Sequence, residues 1–485
     1  MSTPLSGGNR PGGYAGGDAE PARQEHDLAE YEHDLAVVGT SVRRSSIGCV
    51  IPAHDDEATI AAVLTSLLQQ TRVPDVIHVI VHGTSDGTVP AASVFAGPHE
   101  IVTGLGEQFT EVFVHDIGAN PGQQIGALNY GYSLVEGYDF LLVVDGDAVG
   151  DAHAVEHLEA HAVSDTRIGG ILAIRSIDRT RATGILPRLL LTAQRSRLAA
   201  ATLQNLLPGR STAMLGGQFS LLSITALRAV MDAGRLRTPW APGSEAARPQ
   251  LSLRINSAGF DTRVSPRARA DVGGMTTLRA YDAQQIQRTL GSIELMWPGR
   301  RGEIQGQPLH PGLRSRWFES VGMFSALFVR IAFALLLAGA LSIGAFAFSP
   351  WWLAPVAAAV LLNVRIALSM SDRTAGDVLF AALLIPAEIF TWIRMSQFVR
   401  AWSLFLSRER GDRAAAQNDP RGARWTPSIA VATALAVIVV IWNLVGPAVH
   451  SAVLQVGWCA VAIVAAGKTM VMIFKLLRRD LGYTV

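Results

Sequence analysis

From Phe324 onward the chain carries apolar stretches long enough to cross a bilayer, and these constrain its fold more than any other feature. Phe324 to Phe348 matches the thickness of the hydrocarbon core, and Trp351 to Met370, Ile429 to Val445 and Val453 to Phe474 follow it. Arg330, near the start of the first stretch, can extend its stem to the interface. Trp351 and Trp352 open the second, where indole rings suit the membrane boundary. Asn363 and Arg365 are costly in lipid and must face protein or that boundary. A fifth apolar stretch, Val378 to Ile393, contains Pro386 and Glu388 and runs into Arg394 and Arg400. If it spanned, the segment 394–428 with its seven arginines would lie outside. The turns 349–350 and 446–450 carry no Lys or Arg and read as external, whereas Lys475, Arg478 and Arg479 read as cytoplasmic. Loop charge therefore predicts about four transmembrane helices in a membrane domain, 321–480, with an interfacial or re-entrant helix pair near 378–407. It also predicts a multi-pass protein of the cell (inner or plasma) membrane whose preceding domain and both termini are cytoplasmic.

The residues before this region have the composition of a soluble protein. Although the chain is 49% hydrophobic and 17% charged, the apolar content is concentrated at its end. A net charge of +1 gives no global field for nucleic acid, so none is expected as a partner. Cys49 and Cys459 suggest neither a disulfide nor a zinc site. Residues 1–45 are Gly/Pro-rich and polar, lack the apolar core of a signal peptide, and are expected to form a disordered tail. Within them Glu25 to Ala29 is echoed at Glu32 to Ala36, which suits a short helix or a local duplication. A large domain ahead of the spans, with no inverted hydrophobic repeat, argues against a solute transporter.

Between 46 and 310 the pattern alternates strand and helix. Ile47 to Ile51, Val76 to Val81, Glu111 to Val114 and Phe140 to Val144 read as strands; Glu57 to Gln69 and Gln123 to Val135 read as helices. Such repeats predict a parallel sheet covered on both faces. Phe140 to Val144 ends in Asp145-Gly146-Asp147, two carboxylates at the carboxyl end of a buried strand, where ligands of open α/β sheets collect. A pair so placed can hold a hard divalent cation that neutralises a diphosphate. It also suits an ordinary solvated turn, and the neighbouring motifs decide between the two.

Those motifs resemble a known family. Val50-Ile51-Pro52-Ala53-His54-Asp55-Asp56-Glu57 resembles the V-I-P-A-Y-N-E opening of family 2 glycosyltransferases, membrane-integrated relatives of the polysaccharide synthases. His82-Gly83-Thr84-Ser85-Asp86-Gly87-Thr88 is similar to their D-G-S-T-D-G-T turn. Asn120 to Gln123 with Gly126-Ala127-Leu128-Asn129 resembles their N-x-G-K…A-L-N segment, and Asp145-Gly146-Asp147 falls at their D-x-D. Ile385 to Phe390 resembles their P-x-E-x-Y interface element, so the likeness covers about 46–410. It implies a GT-A (Rossmann-like) α/β nucleotide-sugar domain followed by an α-helical transmembrane domain. The nucleotide would be held by Pro52, Ala53, Asp55, His82, Asp86, Gln123 and Asp145, and Mg²⁺ or Mn²⁺ by Asp147 and Asp145. The implied partners are a nucleotide-sugar donor, foremost a UDP-sugar, a lipid-linked or glycan acceptor at the cytoplasmic face, and membrane lipids.

Several positions depart from the family pattern. The family's base is the Asp of T-E-D, before an L-[ST]-L-x-R helix that Leu251-Ser252-Leu253-Arg254 resembles. Aligned without gaps, T-E-D becomes Ala246, Ala247 and Arg248, and a guanidinium stays protonated and cannot serve as a base. A register shift would give the role to Glu245. Q-R-x-R-W corresponds to Gln284 to Arg288, with glutamines at both arginine positions; Gln123 replaces a Lys and His82 an Asp. Each change removes a charge-assisted contact or a proton acceptor. Two functions follow from the resemblance: a divergent inverting transferase, or an inactive pseudo-glycosyltransferase that serves as a membrane scaffold or subunit and binds a protein partner. Elsewhere, Asp55 and Asp56 suit helix caps, His54, His78 and His115 are scattered along strand ends, and the Arg-bearing 185–207 segment reads as a packing or interfacial helix.

Overall fold

The computed structural model describes residues 44–485 except 121, 179–181, 207–211, 216–217, 242–246, 298–309, 347, 410–435, 438–439 and 478–484. The tail 1–43, with its echoed motif, and Glu245 and Ala246 therefore lie outside the described residues, as does most of Ile429 to Val445.

Nine strands form one sheet in the order β3-β4-β2-β1-β5-β8-β7-β9-β6. At its centre β1 (Ile47–Ala53) pairs in parallel with β2 (Val76–Val81) and β5 (Phe140–Val144). All of β1 and β2 is buried, which is why their Val/Ile runs show no polar alternation. Helix Gln123–Val135 lies directly on β1. A Cβ on Gly131 would come within 2.3 Å of a Val50 methyl, and one on Gly48 within 2.6 Å of Val135, so both glycines permit this close approach.

The sheet is mixed where repeated βα units predict a parallel one. β3 (Gly97–Thr103) and β4 (Gly106–Asp116) form an antiparallel hairpin at one edge. β8 (Phe219–Ser223) runs antiparallel to both β5 and β7 (Ile168–Ile177). β9 (Asp261–Val272) pairs in parallel with β7 and antiparallel with the short β6 (Val149–Gly150). β9 shows no apolar run because its arginines Arg263, Arg267 and Arg269 interleave with buried Thr262, Val264 and Ala268.

Helix Ala247–Ser257 is followed by β9 and by helix Leu278–Met296, which packs on helix Leu384–Glu409 through Leu290, Ile293, Ala401 and Phe405. Arg400 forks onto Asp282 and fixes that contact from the polar side. Among the described residues three helices are long and apolar enough to cross a membrane: Gly312–Ser342, Pro350–Leu368 and Pro447–Leu477. Ala375–Ala382 and Leu384–Ser407 are together apolar enough but meet at 75°, the geometry of a broken span or a re-entrant loop. Arg330 donates from Nε and Nη2 to Glu388 at 2.6 and 2.9 Å, tying the first long helix to this bent pair. Arg330 thus meets a carboxylate, a second way of satisfying a charge placed near lipid.

Candidate functional site

The carboxyl ends of β1, β2 and β5 open into one cavity of about 1410 Å³. Pro52 enters from the end of β1, His54 and Asp56 from the loop after it, His82 and Gly83 from the loop after β2, and Asp145, Gly146 and Asp147 from the loop after β5. The cavity continues past Arg175, Arg248 and Arg288 to Arg394, Gln397 and Phe398 on the bent helix.

Two of its loops are held in left-handed backbone. Asp55 has φ 52° and Gln123 has φ 47°, conformations that non-glycine residues adopt only when surroundings enforce them. At Asp55 the enforcement is a hydrogen-bond lattice. Its carboxylate accepts from Ser85 N–H at 2.9 Å and Thr84 Oγ1 at 3.2 Å, and its own N–H donates to Thr84. Asp86 accepts from Thr84 Oγ1, Thr88 N–H and Glu57 N–H. These bonds, foremost that from the Thr88 hydroxyl, hold its carboxyl down at about 2. At Gln123 the brace is Asn120, which donates to the Gln123 carbonyl and packs on Gly126 too tightly for a Cβ there.

The predicted nucleotide residues therefore divide. Pro52, His82, Gln123 and Asp145 line the cavity, whereas Ala53 is buried beneath it and Asp55 and Asp86 bind the first two loops to each other. His82 stacks on His54 with ring centroids 5.3 Å apart, and burial followed by His54 lowers its pKa.

Near Gly146 the carboxylates of Asp56, Asp145 and Asp147 are close enough to repel one another without forming one cluster. Asp56 lies against Gly146, where a Cβ would meet its Oδ2 at 2.2 Å, and Asp147 lies against Gly273 in the same way. Asp56 is thus not the side-chain cap expected of it: its carbonyl accepts from Thr59 and Ile60 N–H, while its carboxylate accepts from His54 N–H. Burial, then the neighbouring Asp145 and Asp56, pushes Asp147 up to about 6; burial also raises Asp56. Asp145 is occupied differently. Arg248 Nη1 donates to its Oδ2 at 3.0 Å and Nη2 to its Oδ1 at 2.7 Å, a planar fork on a carboxylate only 13% exposed. Gln124 adds a weaker contact at 3.4 Å.

Beyond Asp145 the lining turns basic. Arg175, on β7, donates to Gln218 at 2.6 Å and is brought down to about 10 by burial and by Arg288. Arg197 donates to Gln285, one of the two glutamines at the Q-R-x-R-W arginine positions. Arg175 comes from an element with no motif, and Arg288 from the position expected to hold a tryptophan, so sequence patterns pointed to neither. Asn129, in the A-L-N segment, braces the wall rather than lining it: it exchanges two hydrogen bonds with the backbone of Trp240, just before 242–246.

Residues 49–228, from β1 to the helix after β8, match the family model of "Glycosyl transferase family 2". This segment is a family 2 glycosyltransferase domain. The chain is also similar in structure to the mannosyltransferase PcManGT from Pyrobaculum calidifontis, solved in complex with GDP-Man and Mn²⁺, at 14% identity and a TM-score of 0.40, over 77% of this chain and 97% of that one. It is similar to residues 1–349 of S. aureus TarS in complex with UDP at 12% identity and a TM-score of 0.36, over 76% and 92%. No curated protein sequence matches. The glycosyltransferase domain thus carries the D-x-D with its first carboxylate already paired to a guanidinium.

Proposed function

We propose that the chain is a membrane-bound glycosyltransferase that moves a sugar from a nucleotide-sugar, foremost a UDP-sugar, to a lipid-linked or cell-envelope glycan acceptor at the cytoplasmic face. The observation that carries this reading is the continuity of the cavity. It begins at the loops after β1 and β2 and ends at Arg394, Gln397 and Phe398 of the bent apolar helix. A donor held at the strand ends would present its sugar toward an acceptor arriving from the membrane side. Pro52, His82 and Gln123 would bound the nucleoside, Arg175 and Arg288 would face the diphosphate, and Glu245 would take the proton from the attacking hydroxyl.

The family D-x-D implies Mg²⁺ or Mn²⁺ at Asp145 and Asp147, but these side chains as placed do not fit the ion. Both Asp145 oxygens accept from Arg248, and Asp147 accepts from Gly273 N–H. Among the described residues no three His, Cys, Asp or Glu side chains converge as a metal site.

A second reading, an inactive pseudo-glycosyltransferase that acts as a scaffold or subunit, is favoured by Arg248 standing where the base is expected. Release of nucleoside diphosphate from a panel of nucleotide-sugars, by the full chain in nanodiscs, separates the two. Turnover of at least one donor is expected. Binding of UDP or GDP with no turnover of any donor would leave the inactive reading.

A further inference from the structure

We propose that Arg248 takes the place of a divalent cation in this cavity, so that a nucleoside-diphosphate donor binds without metal. The proposal rests on the cavity being a donor site and adds how the diphosphate is neutralised there. The Arg248 fork takes one lone pair on each Asp145 oxygen and sets a positive charge within 3.0 Å of both, so a cation ligated by the remaining lone pairs would sit against a like charge. A guanidinium so held supplies half the charge of such an ion, as a fixed positive group beside the first D-x-D carboxylate at the end of β5. It is also the cationic group best matched to phosphate oxygens, with five donors in a rigid fork and weaker hydration than an ammonium.

The surrounding charges support this placement. Arg248 comes from the first turn of helix Ala247–Ser257, Arg175 from β7 and Arg288 from helix Leu278–Met296, so three elements deliver cations to one wall. Arg175 and Arg288 repel each other, and both feel Asp145. Asp145 offsets Arg248, and although Asp56 and Asp147 also face the cavity, neither is ion-paired to Arg175 or Arg288 among the described residues. A diphosphate, with its negative oxygens spread over two phosphorus centres, is the ligand class that relieves those two arginines. At this position a guanidinium cannot accept a proton, so its contribution is to binding.

Calorimetric titration of the full chain in nanodiscs with UDP and with GDP, each in excess EDTA and in Mn²⁺, tests the idea. The expected result is binding in EDTA within about threefold of that in Mn²⁺. Arg248→Ala should weaken binding in EDTA by about tenfold or more, the loss of a charge-assisted contact. It should also free Asp145, so that Mn²⁺ restores binding and gives a bound-Mn²⁺ signal by electron paramagnetic resonance that the parent lacks. If Arg248→Ala does not fold, Arg248→Gln keeps a hydrogen bond to Asp145 without the charge and should show the same loss. Binding of the parent only with Mn²⁺ would overturn the proposal and leave the donor site standing. Unchanged binding of the folded variants in EDTA would overturn it as well. Absence of binding in both buffers would overturn it together with the transferase reading.

Discussion

Arg248 and Asp145 meet as two parallel N–H···O bonds of 3.0 and 2.7 Å, across 103 residues of sequence, in the floor of the cavity. In the ungapped alignment this pair would join the D-x-D to the position of the family's base. The carboxylate of Asp145 is engaged by a guanidinium, which stays protonated and cannot itself accept a proton.

Because the pair is mostly shielded from water, breaking one side leaves a buried charge uncompensated. Arg248→Ala should lower the stability of the full chain by about 1–3 kcal/mol, and Asp145→Asn by a similar amount. The double variant should recover part of the loss, with a coupling of about 1–3 kcal/mol. Thermal unfolding in detergent for the cycle of four proteins measures it; additive losses would mean that the fork contributes no net interaction.

Gly131 offers a purely steric test. A methyl there would overlap Val50, itself fully buried on the central strand, and neither backbone can retreat without parting helix from sheet. Gly131→Ala should destabilise by about 1–3 kcal/mol, although alanine is the better helix former. The combination Gly131→Ala with Val50→Ala should regain part of this, read as the midpoint of thermal unfolding.

How much of this was legible in the sequence follows from the same contacts. β1, β2, β5 and helix Gln123–Val135 could be placed closely because each is covered by protein, and burial writes an uninterrupted apolar run. Of the β3–β4 hairpin only Glu111 to Val114 was marked, and β9 not at all, since one face of each is solvated and charged residues break the pattern. In the site, the D-x-D and its neighbouring loops were visible as motifs. The Arg248–Asp145 fork was not, because the ungapped alignment gives Arg248 a position and no partner. Arg175 and Arg288 reach the cavity only through the packing of β7 and of helix Leu278–Met296. Asp56 suited a helix cap in sequence, and only the closeness of Gly146 turns its carboxylate to the cavity.

Two histidines away from the cavity predict an acid-sensitive fold. Burial, followed by repulsion from Arg263, brings His161 down to about 4; burial, followed by His115, does the same for His78. The unfolded chain, with imidazole near 6.5, binds protons between about pH 6.5 and pH 4 that the native state does not. Their contribution is therefore complete above about pH 6.5 and is lost as pH falls toward 4, by up to roughly 2 kcal/mol each. His161 Nδ1 also has no hydrogen-bond partner among the described residues. His161→Phe should leave stability near neutrality within about 1 kcal/mol and shift the acid limb of the unfolding midpoint to lower pH. An unchanged limb would exclude His161 as a source of the acid loss.

The membrane arrangement makes a prediction about sides. The turn after helix Ala354–Leu368 lies on the glycosyltransferase domain: Ile366 and Met370 pack into its core, and Arg195 donates to the Asp372 carbonyl at 3.0 Å. The turn before that helix, at Ser349, is at the far end of Pro350–Leu368, a helix long enough to span. If the domain is cytoplasmic, a single cysteine at Ser371 should react only with reagents that cross the membrane, and one at Ser349 should react with impermeant maleimide added outside intact cells. Both are made with Cys49→Ala and Cys459→Ala, since Cys459 is exposed on helix Pro447–Leu477 and would otherwise report on its own. Labelling of Ser371→Cys by the impermeant reagent would place the domain outside. Equal labelling of the two would mean that Pro350–Leu368 does not span, and would reduce the bilayer-crossing part to the longer helices.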